Sequence, residues 1–134
     1  MSRKTARDYA YKLIFEYTFM RVINEQTFAL LTQTDVDESD VQYLKNVYYG
    51  VAEKYDALLE TISNYSHGFQ IERIYRPDLA ALLLAIYEMK YMEDIPLSVS
   101  ISEAVLLVKK YSTEKSNSFV NGILSSVYKE IQNK

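Results

Sequence analysis

Arg3, Lys4 and Arg7, followed by Tyr11 and Phe15, are the residues of this sequence best suited to a chemical task, and that task is holding a polyanion. Guanidinium and ammonium groups pair with phosphate oxygens, while aromatic rings give unpaired bases a surface to stack on. The first twelve residues hold four of the fifteen basic side chains, Lys12 being the fourth, against one acid, Asp8. The chain as a whole carries a formal net charge of −3, so positive charge is concentrated at one end of an otherwise acidic protein. The alternative for the same residues is an ordinary solvated face whose cations pair with acidic neighbours after folding. Cations near a helix start oppose its dipole by a few tenths of a kcal/mol each, a mild cost that points to a use.

Other chemistry is poorly served. The single histidine, His67, stands in a helix-ending Ser66-His67-Gly68 turn and reads as a surface residue rather than a general base. One histidine leaves no histidine metal site and few catalytic triads. With no cysteine there is no disulfide, thiolate site or sulfur nucleophile, which fits a reducing cytoplasm. Gly50, Gly68 and Gly122 stand alone, so no glycine loop cradles a phosphate. The acidic run Asp35, Asp37, Glu38 and Asp40 lacks the glycine and distal glutamate of a calcium loop, and reads as a solvated loop with helix-starting caps. No catalytic residue, metal or cofactor is expected. The run from Leu79 to Tyr87 is far short of the ~20 apolar residues that span a bilayer. The N-terminus lacks the apolar core of a secretory signal.

Helices must position the basic cluster, and almost every periodic segment has helical spacing. Ala6, Ala10, Leu13, Tyr17 and Met20 alternate by four and three from a Ser2 cap. A short helix follows Asn24, with Phe28 and Leu31 inward. A long helix is predicted from about Ser39 to Tyr65 and ends at Gly68 in the left-handed conformation. After a connector over 69–76, Pro77 opens a helix to Met92 that is apolar nearly all round and therefore central. Ser98 or Ser100 caps a further helix through Tyr111, and the last helix spans about Ser116 to Ile131. With no competing strand pattern, the 134 residues read as one all-α domain of six to seven helices.

At about 100° per residue, the first helix places Arg3, Arg7, Tyr11, Lys4 and Phe15 on one arc beside its apolar stripe. Lys12 falls off that arc. Three cations and two aromatics on one face suit single-stranded nucleic acid.

Two segments carry a resemblance. The first is Arg3-Lys4-Thr5-Ala6-Arg7-Asp8-Tyr9-Ala10 with Leu13-Ile14-Phe15. The second is Ile95-Pro96-Leu97-Ser98-Val99-Ser100-Ile101-Ser102-Glu103-Ala104-Val105, then Lys109-Lys110-Tyr111 and Phe119-Val120-Asn121-Gly122-Ile123-Leu124. Between them stands Leu84-Ala85-Ile86-Tyr87-Glu88-Met89. Together, in order and over nearly the whole chain, they resemble the NusB family of bacterial transcription antitermination factors. The resemblance implies two small helical bundles packed at an angle, about 1–66 and 69–134. It implies binding of the boxA element of ribosomal RNA leader transcripts together with the ribosomal protein NusE. It further implies joining the RNA polymerase elongation complex, without catalysis and without a membrane. It places Arg3, Lys4, Arg7 and Phe15 on the RNA, with Lys115, Ser116 and Phe119 as a second part of that surface. Asp78 becomes a candidate NusE contact.

The sequence also departs from the family pattern. Thr5 interrupts the basic cluster, and Leu83 stands where an arginine is common. Ser112 replaces a glycine, at a cost of about 1 kcal/mol if that residue is left-handed. Lys115 replaces an acid, which favours RNA. Residue by residue, Phe119 is at core spacing, and Gly122 inside a helix implies a close helix approach. Two alternatives stay open: a homodimeric scaffold that covers its own basic face, and an RNA-binding module that serves a separate methyltransferase.

Overall fold

A computed structural model describes residues 2–33, 37–68 and 70–133, so Asp35 of the acidic run lies outside the described residues. Among these are seven α-helices and one 3-10 turn, with no strand: α1 (Arg3–Met20), α2 (Glu25–Leu31), α3 (Glu38–Glu53), α4 (Tyr55–Tyr65), the turn at Ile71–Arg73, α5 (Arg76–Tyr91), α6 (Leu97–Tyr111) and α7 (Ser116–Gln132). The all-α expectation holds.

Local chemistry sets most boundaries. The Ser2 side chain accepts the Thr5 N–H to start α1, and Asn24 accepts from Thr27 to start α2. Gly68 is left-handed at φ 90°, after His67 at φ 42°. Pro77 sits in the first turn of α5, where its missing N–H costs nothing.

Two boundaries differ from the periodicity. The long helix is two, α3 and α4, which meet at Lys54. Lys54 closes α3, its N–H bonded to the Gly50 carbonyl, and opens α4, its own carbonyl accepting from the Leu58 N–H. The apolar spacing therefore continues across a bend it cannot register. Beyond the bend Tyr55 packs edge-on against Tyr17, 5.2 Å between centroids. Helix α6 starts at Leu97 behind Pro96 with no side-chain cap. Ser100 is buried instead and donates to Glu88 Oε1 at 2.8 Å.

Helix α5 is the axis of the fold. Every residue from Asp78 to Met89 is buried, and α1, α3, α4, α6 and α7 all pack on it. Burying each of Leu82, Leu83 and Leu84 contributes about 1.5–3 kcal/mol. Leu83 is thus a core residue with no polar task. The core is one cluster that runs through α5 from the N-terminal to the C-terminal helices.

One glycine expectation changes here. Among the described residues a methyl at Gly122 meets nothing within 4 Å, so none of the described helices approaches there. Close approach occurs at Gly50, where the Tyr87 ring occupies the space a Cβ needs.

Candidate nucleic-acid interface

Helix α1 is wedged between α3 and α5 and also borders α6, which widens its buried face. Ala6, Arg7, Ala10, Tyr11, Leu13, Ile14, Tyr17 and Thr18 are buried, a sector of roughly 160° at 100° per residue. Met20, a member of the apolar stripe by spacing, is exposed. The buried face is therefore turned toward the arc on which the spacing places the cations.

Arg7 and Tyr11 are consequently not open to a ligand. Arg7 Nε and Nη2 donate to Glu88 Oε2 and Oε1 at 2.9 and 3.3 Å, and its Nη1 lies 3.6 Å from Glu103. Tyr43 and Ser100 also donate to Glu88, so one buried carboxylate is satisfied from α1, α3 and α6. Burial pulls the Arg7 guanidinium toward losing its proton, but the Glu88 bonds and the field of Tyr43, Glu88 and Glu103 outweigh it and the net shift is upward. The Tyr11 hydroxyl donates to the Pro77 carbonyl at 3.0 Å. Ser116 and Asp78 are buried as well: Ser112 Oγ donates to Asp78 Oδ1 at 2.6 Å and lies 3.0 Å from Ser116 Oγ. Ser112 has φ −124° and ψ −154°, an extended conformation, so the expected left-handed cost does not arise.

The accessible members of the predicted set are Lys4, Lys115, Arg3, Phe15 and Phe119. The Lys4 side chain is 70% exposed, with Glu103 at 3.5 Å. Lys115 is exposed at the start of α7. Arg3 is half-exposed, bonded to Asp40 at 3.0 Å and lying over the Tyr43 ring. Phe15 and Phe119 are half-buried against the core.

Four residues outside the predicted set join these. Tyr111 stacks on Tyr11 with centroids 5.1 Å apart and planes at 15°. Lys12 and Lys110 place their ammonium groups 5.8 and 5.0 Å from the Tyr111 centroid. Asp8 ties them together, accepting from the Tyr111 hydroxyl at 2.7 Å and pairing with Lys12 at 3.1 Å and Lys110 at 3.3 Å. Burial raises the Asp8 pKa, yet the bonds from Tyr111, Lys12 and Lys110 prevail and hold it below the usual carboxylate range. The helical wheel excludes Lys12 because a stripe through Met20 centres it on the wrong face. Lys110 and Tyr111 have only their neighbouring basic pair as a signal.

Tyr11, Lys12, Phe15, Pro77 and Tyr111 line a pocket of about 200 Å³. The chain leaves Tyr111 directly into Ser112, bonded to Asp78, and on to Lys115. The two predicted halves thus meet through Tyr111 and the start of α5. A lysine-rimmed aromatic pocket can take a flat, unpaired base while the ammonium groups neutralise phosphate. Among the described residues no cluster of His, Cys, Asp or Glu could hold a metal ion, and no helix is long and apolar enough to cross a membrane.

Comparison with known proteins agrees with this architecture. The transcription antitermination protein NusB of Acetivibrio thermocellus is 42% identical over 130 residues, covering 96% of this chain and 90% of that protein. That of Bacillus subtilis is 37% identical over 133 residues, covering 98% of each. The solved structure of T. maritima NusB matches with a TM-score of 0.85 at 31% identity, over 97% of this chain and 92% of that one. A chain in a crystal structure of the antitermination factors NusB and NusE with double-stranded RNA matches at 0.84 and 25% identity, over 96% of each. Residues 4–129 match the NusB family, and the chain belongs to that family.

Proposed function

We propose that this protein is a transcription antitermination factor that binds the boxA element of ribosomal RNA leader transcripts jointly with NusE and joins the RNA polymerase elongation complex in the cytoplasm, without catalysing a reaction. The observation that carries the reading is the pocket of Lys12, Phe15, Pro77 and Tyr111 over the buried Tyr11, with Lys110 beside the Tyr111 ring and Lys4 and Lys115 exposed nearby in the chain. Relatives named as antitermination proteins, and a solved NusB–NusE assembly with double-stranded RNA, support RNA as the class of ligand and NusE as the partner. The pocket favours an unpaired base, so single-stranded boxA RNA is the preferred form. Lys4, Lys12, Lys110, Lys115 and Arg3 meet the phosphates, and Phe15, Tyr111 and Phe119 the bases. Arg7, Tyr11, Ser116 and Asp78 act from beneath, by holding α1 and the 112–116 turn in place.

A gel-shift on single-stranded boxA RNA, with and without NusE and with a duplex competitor, tests the reading. Five phosphate contacts give a slope of log affinity against log salt of about −3.5. Absence of any shift, even with NusE, overturns it. A second reading, homodimerisation, draws on the groove of about 590 Å³ between α6 and α7, where Leu106 and Tyr128 are exposed. Sedimentation with and without RNA separates the two: a dimer unaffected by RNA favours the scaffold.

A further inference from the structure

The exposed aromatic surface does not end at the pocket. Phe19 lies one turn beyond Phe15 on α1, with ring centroids 5.1 Å apart and planes at 72°, and it is 54% exposed. The segment Tyr75-Arg76-Pro77, which opens α5, crosses this row. Pro77 accepts the Tyr11 hydroxyl at one end, and Arg76 Nη1 donates to the Thr18 carbonyl at 2.7 Å at the other. The Arg76 guanidinium rests 4.4 Å from the Phe19 centroid, and Tyr75 beside it is 56% exposed. Burying either ring against this chain would have been favourable by about 1.5–3 kcal/mol. Both are left more than half exposed, Phe19 against the Arg76 guanidinium, on the segment that also borders the pocket suited to bases.

We propose that Phe19, Tyr75 and Arg76 form a second stacking subsite, which takes the next unpaired nucleotides of an RNA strand leaving the Lys12–Phe15–Tyr111 pocket. This rests on the RNA reading above and extends its footprint along α1. Four residues of helix rise about 6 Å, so a strand that leaves the pocket meets the second ring after one extended nucleotide step. A base on Phe19 lies beside the Arg76 guanidinium, which lends cation–π attraction and offers its free edge to the adjoining phosphate. Arg73, exposed just before this segment, makes no ion pair among the described residues and adds positive charge at the same end. The neighbouring carboxylate on α1, Glu16, is turned to the other flank, where it accepts from Asn24. An RNA strand therefore meets rings and cations on this path, whereas a protein partner of basic character is not favoured.

The test is fluorescence anisotropy on the full chain with a short boxA-like oligoribonucleotide and with the same oligomer extended at either end by unpaired nucleotides. The expected result is tighter binding of one extended oligomer. Phe19→Ala and Tyr75→Ala should each erase about fivefold to a hundredfold of that gain while leaving the short oligomer unaffected. Phe19→Trp should retain it. Both rings are exposed, so the variants should keep wild-type helicity by circular dichroism. Equal wild-type affinity for short and extended oligomers overturns the subsite and leaves the pocket intact. Wild type that binds neither overturns the RNA reading together with the subsite. Phe19→Ala that loses NusE affinity while its RNA affinity stays unchanged makes the surface a protein contact and overturns the proposal.

Discussion

The Arg7 guanidinium and the Glu88 carboxylate form a two-pronged pair, at 2.9 and 3.3 Å, with side chains only 6% and 1% exposed. Removing one partner of a buried pair leaves an uncompensated charge, at a cost of about 3–5 kcal/mol. Arg7→Ala should lose that much in urea denaturation, and RNA affinity should fall only as the folded fraction falls. Full stability combined with lost RNA binding would show that the guanidinium reaches the ligand instead.

Asp8 restrains the cations it organises. It neutralises Lys12 and Lys110 while orienting Tyr111. Asp8→Asn keeps an acceptor for the Tyr111 hydroxyl but releases both ammonium groups. RNA affinity should rise at low salt, and the salt slope should steepen by about 0.7 for each further phosphate that a freed lysine neutralises. Titration across salt checks both. An unchanged slope with a folded variant would mean the two lysines do not meet phosphate.

The elements were legible because an amphipathic helix writes its period into the sequence, and Ser2, Asn24, Pro77 and Gly68 punctuate it with known chemistry. The rotation of α1 was not. Alanine and tyrosine suit a buried or an exposed position equally, so the stripe through Met20 was indistinguishable from the true face through Ile14. The burial of Arg7 was hidden for a related reason: a cation signals solvent until its partner is known, and Glu88 is 81 residues away. Local spacing carries no information about such a pair. The bend at Lys54 escaped because both of its arms keep the same apolar alternation.

Asp78 and Ser112 fix the turn that carries Lys115, through a 2.6 Å bond in a largely buried setting. Ser112→Ala leaves that carboxylate oxygen without its donor, a loss of about 1–3 kcal/mol. Asp78→Asn retains an acceptor and should cost less than Asp78→Ala. Thermal unfolding of the three variants gives the order. If Asp78→Ala keeps full stability and loses NusE affinity, Asp78 acts directly on the partner.

Alkaline pH should unfold the protein through its tyrosines. Burial, reinforced by Asp78 at Tyr11 and by Glu88 at Tyr43, raises both phenols well above their ordinary value, and burial also raises Tyr48, Tyr55 and Tyr87. A folded-state pKa above the unfolded one gives stability that is complete below the unfolded value, about 10. That stability is lost as pH rises toward the folded values, because only the unfolded chain releases the protons. Tyr11 and Tyr43 each remove about 1.4 kcal/mol per pH unit in that window. Urea midpoints between about pH 9 and about pH 12 should fall steeply, and less steeply in Tyr11→Phe.

Gly50 and Gly122 both lie inside helices, where glycine costs about 1 kcal/mol relative to alanine, yet substitution should move them in opposite directions. Among the described residues nothing stands within 4 Å of a methyl at Gly122, so Gly122→Ala should gain about 0.5–1 kcal/mol in urea denaturation. At Gly50 the Tyr87 ring fills the position of the Cβ, and the Tyr87 hydroxyl is anchored to Asn46 Oδ1 at 2.7 Å. The ring must swing aside and break that bond to admit a methyl. Overpacking of this kind costs about 1–3 kcal/mol, against which the helix-propensity gain is too small to prevail. Gly50→Ala should therefore be less stable than wild type, and the same substitution should cost less in a Tyr87→Ala background, where the ring is gone. Equal stability of Gly50→Ala and wild type would mean that the Tyr87 ring gives way at no net cost.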